Sequence, residues 1–270
     1  MTKILGFAGK KQSGKNTCCN FLQMLKFHEY GVCKNASLNE QGQILVSDLF
    51  GEKVSGSDWI PLTEEYVDIS QLLESFRPCK IYAFADVLKE FAVDVLGLEY
   101  NQVYGTNEEK NSPTHLRWEN MPGIVTEKVF TRRSYYSYED QITASIACHK
   151  PGPMTGREVL QYFGSDICRK MYENIWFDAC IRRIRKDNPE LALISDVRFP
   201  NEIIGVQKEG GIVFGLPRDI VNGQDTHSSE QVDLSLCDYV LPEGDIHTTT
   251  KALYKIIAEN NIHPFRSKVS

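Results

Sequence analysis

Glycine, lysine and small polar residues are concentrated in the stretch GKKQSGKNTC, residues 9–18. A short apolar run, residues 4–8, precedes it, and a helical pattern follows. A loop that wraps an anion needs glycine where backbone N–H groups turn inward, a lysine to meet the charge, and the positive end of a helix. This stretch supplies all three, so it predicts a phosphate site where a strand ends and a helix begins.

The spacing from Gly9 to Lys15 matches the pattern G-x-x-x-x-G-K. We expect Lys15 to contact the β- and γ-phosphates of a bound nucleotide, and the pattern usually continues with a hydroxyl residue that reaches Mg²⁺. Here Asn16 stands at that position and Thr17 follows, so either is a candidate magnesium ligand. The alternative is a glycine turn with solvated lysines. The predicted phosphate-binding residues, which would bind ATP if the protein is a kinase, are Lys10, Ser13, Gly14, Lys15, Asn16 and Thr17.

A second charged group follows a buried strand in ALISDVRFPNE, residues 192–202. In parallel α/β sheets, ligands bind beyond the carboxyl ends of the strands, so Asp196, Arg198 and Glu202 should face the same crevice as the glycine-rich loop. Asp196 could hold Mg²⁺ directly or through water, and Arg198 could neutralise phosphate oxygens. The alternative is an ordinary helix start, with Asn201 as its cap and Glu202 favoured by the helix dipole.

A third candidate lies in TGREVLQYFGSDICRKMYENIW, residues 155–176. Arg157 and Gln161 are four residues apart and share a helical face, so they could address one ligand. A cation at a helix start is mildly unfavourable, which favours a binding role for Arg157 over a solvated one. Gly164 should either end the helix or admit a close backbone approach. Trp176 could equally be a core residue or a ligand contact.

Weaker candidates lie elsewhere in the chain. In AFADVLKE, residues 83–90, Asp86 is placed to cap a helix and Lys89 lies one turn inside it. Arg132 and Arg133 could belong to a mobile lid or to a solvated loop. The polar cluster DTHSSE, residues 225–230, could bond a ligand or a helix start.

Continuous apolar runs predict strands that are covered on both faces, and therefore a parallel sheet. Helical periods fall between these runs, which indicates β-α-β units. The predicted strands are residues 4–8, 80–85, 191–195 and 212–216, with a weaker one at 239–241. The predicted helices include residues 88–96, 160–167 and 177–184.

Two long segments, residues 34–78 and 105–152, interrupt this alternation. We interpret them as insertions that form substrate-binding or lid elements, the first with a hairpin around Gln41-Gly42. The chain, residues 1–270, is then one domain whose core covers about residues 1–33, 79–104 and 153–262.

Composition and net charge limit the kinds of ligand and partner that this protein is expected to bind. With 270 residues and 41% hydrophobic content the chain can bury a large core, and its net charge of −6 argues against a nucleic-acid polymer as ligand. Its eight cysteines form no C-x-x-C pair, which disfavours zinc. There is no signal-peptide pattern and no membrane-spanning apolar run, so we expect a cytoplasmic protein without membrane contact.

Taken together, the loop GKKQSGKNT, the segment GREVLQYFGSD, and SDVRFPNE followed by DTHSSE resemble the deoxynucleoside monophosphate kinases of tailed bacteriophages. The likeness extends from residue 3 to about residue 231. It implies a P-loop kinase fold, a three-layer α/β/α sandwich with a mostly parallel sheet. It also implies a homodimer in the host cytoplasm that transfers phosphate from ATP to a deoxynucleoside 5′-monophosphate with Mg²⁺.

The resemblance also implies residue roles. The reacting centre would contain Lys15, Arg157, Asp196, Arg198 and Glu202. The acceptor nucleotide would contact Arg157, Gln161, Gly164, Ser165, Trp176 and Lys89, of which Gln161 and Lys89 come from the local patterns alone. Metal ligands would come from Thr17, Asn16 and Asp196. Family members often carry Asp where this chain has Asn16, so the way the metal is held departs from the family pattern.

Other functions fit parts of the pattern. A kinase of another small acceptor, related to dephospho-coenzyme A kinase or adenylate kinase, would use the same loop. A P-loop module that binds nucleotide without transferring phosphate would need no second charged locus. A common GTPase would carry Asn-Lys-x-Asp, which this sequence lacks.

Overall fold

A computed structural model describes residues 2–53, 60–62, 75–126, 148–217, 232–260 and 262. The strands are β1 Lys3–Gly9, β2 Ala36–Leu38, β3 Ile44–Val46, β4 Asp48–Leu49, β5 Glu52–Lys53, β6 Ile60–Pro61, β7 Cys79–Tyr82, β8 Pro113–Arg117, β9 Val125–Thr126, β10 Cys148–His149, β11 Pro153–Thr155, β12 Leu191–Val197, β13 Ile212–Leu216 and β14 Tyr239–Val240. The α-helices are α1 Lys15–Glu29, α2 Asp86–Asp94, α3 Tyr100–Tyr104, α4 Asn107–Lys110, α5 Gly156–Gln161, α6 Ile175–Asp187, α7 Pro200–Lys208 and α8 Ile246–Glu259. A π-helix, Tyr162–Arg169, continues α5, and short 3₁₀ turns cover Trp118–Asn120 and Leu234–Leu236.

The chain divides into two compact units. The first contains Met1–Phe84 and Phe177–Ser270, and the second contains Ala85–Trp176. The second unit includes residues 85–104 and 153–176, which the sequence analysis assigned to the core.

The first unit is built on a five-stranded sheet of order β14-β13-β1-β12-β7, in which every pair is parallel. All five strands lie on the apolar runs that predicted them. β1 and β12 each contain a long buried run, of six consecutive residues in β1 and of five at the start of β12. The predicted fold class is confirmed, since continuous apolar strands were read as a parallel sheet covered on both faces.

Helices cover both faces of this sheet. Alternate residues of a strand point to opposite faces, so Leu5 and Phe7 pack in one cluster with Leu253 and Ile257 of α8 and with the buried side of α1. On the other face, a Cβ built on Gly6 would lie 3.7 Å from Val206 Cγ1 of α7. The arrangement is a three-layer α/β/α sandwich.

The first interruption of the sequence pattern forms the predicted hairpin. β2 and β3 pair antiparallel, and β6 adds a third strand beside β3. Asp48 fixes the chain entering this hairpin, because its carboxylate accepts backbone N–H bonds from Lys34 and Asn35, both at 2.9 Å.

The second unit has its own small core around Ala92, Val103, Met154 and Val159. Strands β8 and β11 pair antiparallel within it. Gly164 does not end the helix, because the chain continues through the π-helix. At α2 the cap position belongs to Ala85, and Asp86 is the first helical residue rather than the predicted cap. None of the helices in the described ranges combines the length and apolarity needed to cross a membrane.

Candidate active site

The loop between β1 and α1 has the conformation that its glycines predict. A Cβ on Gly9 would stand 2.6 Å from Ser13 Oγ and 2.8 Å from the Leu216 carbonyl oxygen, so only glycine fits there. Gly14 has φ 99°, which L side chains rarely adopt. The backbone conformation therefore requires glycine at Gly9 and at Gly14, the two glycine positions of the G-x-x-x-x-G-K pattern.

Lys15 directs its ammonium group into this loop. Its Nζ donates to the carbonyl oxygens of Gly9 at 2.7 Å and Lys10 at 2.5 Å, and lies 3.5 Å from Ser13 Oγ. Lys15 and Ser13 are both buried. A positive charge is thus held within the loop by the loop's own backbone.

The first turn of α1 favours an anion. It contains no acidic residue, and its N-cap is Gly14, which has no side chain with which to cap the helix. The N–H groups of a helix start carry a partial positive charge. Asn16 is exposed at this end, whereas Thr17 is partly buried and packs against Gly42 in the β2–β3 turn.

Asp196 lies at the carboxyl end of β12, next to β1, the strand that leads into the glycine-rich loop of residues 9–15. The β1–β12 register passes from Gly6↔Ile194 to Ala8↔Val197, so Ser195 and Asp196 together oppose one residue of β1. Such a bulge re-aims side chains. Asp196 Oδ1 accepts the N–H of Phe84 at 2.7 Å, which fixes the carboxylate at this edge.

Cys19 and Cys18 are buried thiols in the first turns of α1. Burial is the main cause that raises the pKa of Cys19 well above its ordinary value. The Asp196 charge raises it further and the Lys15 charge lowers it. Burial also raises the pKa of Cys18 to about 12, so these two thiols under the loop stay protonated and are poor nucleophiles.

Glu202 supports the backbone next to Arg198. Its side chain is 1% exposed, and Oε2 accepts the N–H groups of Arg198 at 2.9 Å and Phe199 at 3.1 Å. The N-cap of α7 is Phe199, so Asn201 lies inside the helix and is not its cap. This geometry favours the helix-start alternative for Glu202, while Arg198, half-buried, follows directly after β12.

Oxygen donors that suit Mg²⁺ are present near the loop. Carboxylate, amide and hydroxyl oxygens are the ligands that this hard cation prefers, and Asp196, Asn16 and Thr17 provide one of each. Within the described residues, no group of three or more His, Cys, Asp or Glu side chains is arranged to hold a metal by itself. The donor set therefore fits a magnesium ion that is shared with phosphate oxygens rather than caged by protein.

In the second unit, Arg157 is bonded to two neutral amides. Its Nε donates to Asn111 Oδ1 at 3.1 Å and its Nη2 to Asn107 Oδ1 at 3.0 Å. Arg157 is the second residue of α5 and is partly buried. Gln161, one turn further on, is exposed.

A hydrogen bond joins Trp176 to Gly164 inside the second unit. The indole Nε1 donates to the Gly164 carbonyl oxygen at 3.0 Å. A Cβ on Gly164 would stand 2.6 Å from Leu88 Cδ2, so glycine admits the close approach that the sequence analysis offered as one alternative. The indole N–H is therefore committed to the backbone, which favours the core role for Trp176. Ser165, next to Gly164, is partly buried.

Lys89 lies on α2 near an acid and an aromatic ring. Its Nζ is 3.8 Å from Asp86 Oδ1 and 5.3 Å from the ring centre of Tyr104. Both contacts are within the second unit, and they hold the ammonium group partly exposed.

Sequence reasoning missed Asn107 and Asn111, and it placed Gly42 in a hairpin turn without its contact to Thr17. The two asparagines stand four residues apart at the ends of a four-residue helix, a spacing that marks a common face but has no apolar period to draw attention. Arg132, Arg133 and the cluster at residues 225–230 lie outside the described residues.

Comparisons with known proteins point to one kind of activity. No protein-family model matches the sequence. Over 160 residues the chain is 29% identical to a protein of Acanthamoeba polyphaga mimivirus that is named, provisionally, as a deoxynucleotide monophosphate kinase. Over 47 residues it is 45% identical to the deoxynucleoside-5′-monophosphate kinase of Escherichia phage T5.

These matches cover part of each protein. The first spans 55% of this chain and 65% of the mimivirus protein, and the second spans 17% of this chain and 19% of the phage protein. The matched part is thus under two thirds of either relative. The predicted resemblance is nevertheless confirmed: a chain with a P-loop kinase fold is similar in sequence to viral proteins named deoxynucleotide or deoxynucleoside monophosphate kinase.

Proposed function

We propose that the protein transfers the terminal phosphoryl group of ATP to a deoxynucleoside 5′-monophosphate in the presence of Mg²⁺. The observation that carries this proposal is the adjacency of β1 and β12. β1 leads into the phosphate loop, β12 ends with Asp196, and the two strands are parallel neighbours. The loop and the carboxylate are thus at the same edge of the sheet, where α/β proteins bind their ligands.

Phosphoryl transfer to a nucleoside monophosphate requires positive charge and correct positioning of the two nucleotides more than it requires a general acid or base. The phosphate of a nucleoside monophosphate has a second pKa of about 6, so near neutral pH it is already an anionic nucleophile. What remains is to bring two polyanions together and to stabilise the charge on the group in transfer. The chain offers Lys15 and Arg198 for this purpose, both associated with the sheet edge described above.

Magnesium would be held by Asp196 together with Asn16 or Thr17. When bound, the ion would neutralise phosphate oxygens and help to align them. Asp196 contributes a carboxylate that is already fixed by the Phe84 N–H. Asn16 in place of a hydroxyl residue provides an amide oxygen, which is a weaker ligand for a hard cation than a carboxylate.

Arg157 is the residue that we propose to hold the acceptor phosphate. The guanidinium group has five N–H donors, and two of them are used by Asn107 and Asn111. Donors remain for a phosphate, which arginine binds with two parallel hydrogen bonds. By contrast, the Trp176 N–H is bonded to Gly164, so we propose that Trp176 shapes the acceptor region through its packing.

An ADP-release assay tests this function. The protein would be given ATP, Mg²⁺ and one acceptor at a time: dAMP, dCMP, dGMP, dTMP, AMP or dephospho-coenzyme A. We expect turnover with at least one deoxynucleotide. Turnover only with AMP or dephospho-coenzyme A would assign the protein to the other small-acceptor kinases.

ATP binding without turnover on any acceptor would instead identify a nucleotide-binding module. Lys15→Met serves as the control for contaminating kinases. It removes the loop's ammonium group while keeping a side chain of similar length, so activity that persists unchanged in this variant does not come from the protein.

A further inference from the structure

Two acids close in sequence to Arg157 and to its asparagine partners, Glu158 and Glu109, are engaged by their own helix starts. Glu158 Oε2 accepts the Thr155 N–H at 2.7 Å, as part of the capping box of α5. Glu109 Oε2 accepts the Thr106 N–H at 2.7 Å, in the capping box of α4. The pKa of Glu109 is lowered, first by that backbone hydrogen bond.

The hydrogen-bond partners of Arg157 are neutral. Among the described residues its hydrogen bonds go to the side-chain amides of Asn107 and Asn111, and no carboxylate forms an ion pair with it. An amide oxygen orients a guanidinium group without cancelling its charge. An aspartate at the same place would bond more strongly but would compete with any anionic ligand.

We infer that Asn107 and Asn111 are positioning residues. They hold the Arg157 guanidinium in one orientation with neutral acceptors, so that its charge and its remaining N–H groups stay available for the phosphate of the acceptor nucleotide. This inference deepens the proposed function and rests on it for the identity of the anion. The gain is preorganisation, because a long side chain that is already oriented loses less rotamer freedom when the ligand binds.

The isosteric substitution Asn107→Asp separates this role from a structural one. The variant keeps the shape and the hydrogen bond and adds a negative charge beside the guanidinium. We expect KM and Kd for the deoxynucleotide to rise by about tenfold or more, because a charge at hydrogen-bond distance competes with the phosphate. KM for ATP should stay within about twofold, and Tm should be unchanged or higher because the pair becomes charge-assisted. Asn111→Asp should act in the same direction.

Asn101→Asp is the matched control. Asn101 is exposed on α3 in the same unit, and its substitution makes the same change in net charge at a side chain to which Arg157 does not donate in the described part of the chain. If Asn107→Asp and Asn111→Asp raise Tm but leave Kd for the deoxynucleotide at the wild-type value, the asparagines are structural partners only, and the inference is wrong. A general charge effect would appear equally in Asn101→Asp and would overturn it as well.

Nucleotide binding and turnover, measured separately, distinguish this inference from the proposed function. Calorimetric titration with each of the four deoxynucleoside monophosphates, without ATP, reports binding alone. Wild-type binding without turnover contradicts phosphoryl transfer, while the effect of Asn107→Asp on Kd still tests the positioning role. Wild-type protein that binds none of the four contradicts both.

Discussion

Gly42 packs directly on the side chain of Thr17. A Cβ on Gly42 would stand 2.1 Å from Thr17 Oγ1, and its φ of 74° is one that L side chains rarely adopt. The neighbouring contact is a hydrogen bond of 2.8 Å from Asn20 Nδ2 to the Gly42 carbonyl oxygen. The turn of the β2–β3 hairpin therefore packs on the first two turns of α1, immediately after the glycine-rich loop of residues 9–15.

Gly42→Ala is expected to lower the free energy of unfolding by about 1–3 kcal/mol, since it combines strain at positive φ with an overlap that the turn must move to relieve. The displaced turn would also disturb Thr17, so KM for ATP should rise. Urea unfolding and initial rates at varied ATP concentration measure the two effects.

Gly51→Ala is the control for Gly42→Ala. Gly51 has φ 87° but no atom within 4 Å of a Cβ built on it, so its substitution introduces the backbone strain without the overlap. The difference between the two variants reports the contact with Thr17. Equal losses of stability, with ATP kinetics unaffected in both, would contradict a role for the hairpin at the phosphate loop.

Arg198→Ala is expected to lower kcat by about 10³-fold or more, the lower end of the range for arginines that stabilise a phosphoryl group in transfer. Its Tm should stay close to that of the wild type, because the backbone of Arg198 is held by Glu202 independently of the side chain. Steady-state kinetics and thermal unfolding measure the two quantities.

The variant Arg185→Ala tests whether the loss of any arginine lowers kcat. Arg185 of α6 forms an exposed ion pair with Glu209, at 2.7 Å between Nη2 and Oε2. Exposed ion pairs contribute about 0–1 kcal/mol to the free energy of unfolding. We expect wild-type kcat in this variant. Near-normal turnover in Arg198→Ala would remove Arg198 from the reacting centre.

Glu202→Leu is expected to lower the free energy of unfolding by about 1–3 kcal/mol, because two partly buried backbone N–H groups lose their acceptor. Activity should fall too, since the backbone of Arg198 is no longer fixed. The corresponding substitution at an exposed acid, Glu243→Leu, should change stability little. A Glu202→Leu protein with wild-type stability but no activity would argue that the carboxylate acts in the chemistry itself.

Much of the fold could be predicted because its signals are local. The five central strands are continuous apolar runs, and the glycines of the phosphate loop meet a backbone requirement that can be stated from sequence alone. Asp196 and Arg198 could be placed near the loop because parallel strands present their carboxyl ends at one edge.

The rest depends on contacts between distant polar residues. The β-bulge at Ser195 and Asp196 has no recognisable sequence signature, because these two residues resemble the ordinary end of a strand. The bonds from Arg157 to Asn107 and Asn111 join segments about 50 residues apart, 50 in the first case and 46 in the second. Neither a helical nor a strand period encodes such pairs, and the contact between Gly42 and Thr17 is of the same kind.

Asp48 makes the stability of the hairpin depend on pH. Backbone hydrogen bonds from Lys34 and Asn35 lower the pKa of its carboxyl group below the ordinary value of 3.8. The folded state therefore gains stability from the ionised group above that value, and the gain is lost as the pH falls through the lower pKa of the folded state. Asp48→Asn, which replaces one acceptor oxygen by a donor, should lower the urea midpoint near pH 7, and its deficit should shrink as the pH approaches about 3. Glu52→Gln, an exposed neighbour, should show no such pH-dependent difference from the wild type. A deficit in Asp48→Asn that is the same at both pH values would mean that the carboxylate's charge contributes nothing to holding the hairpin.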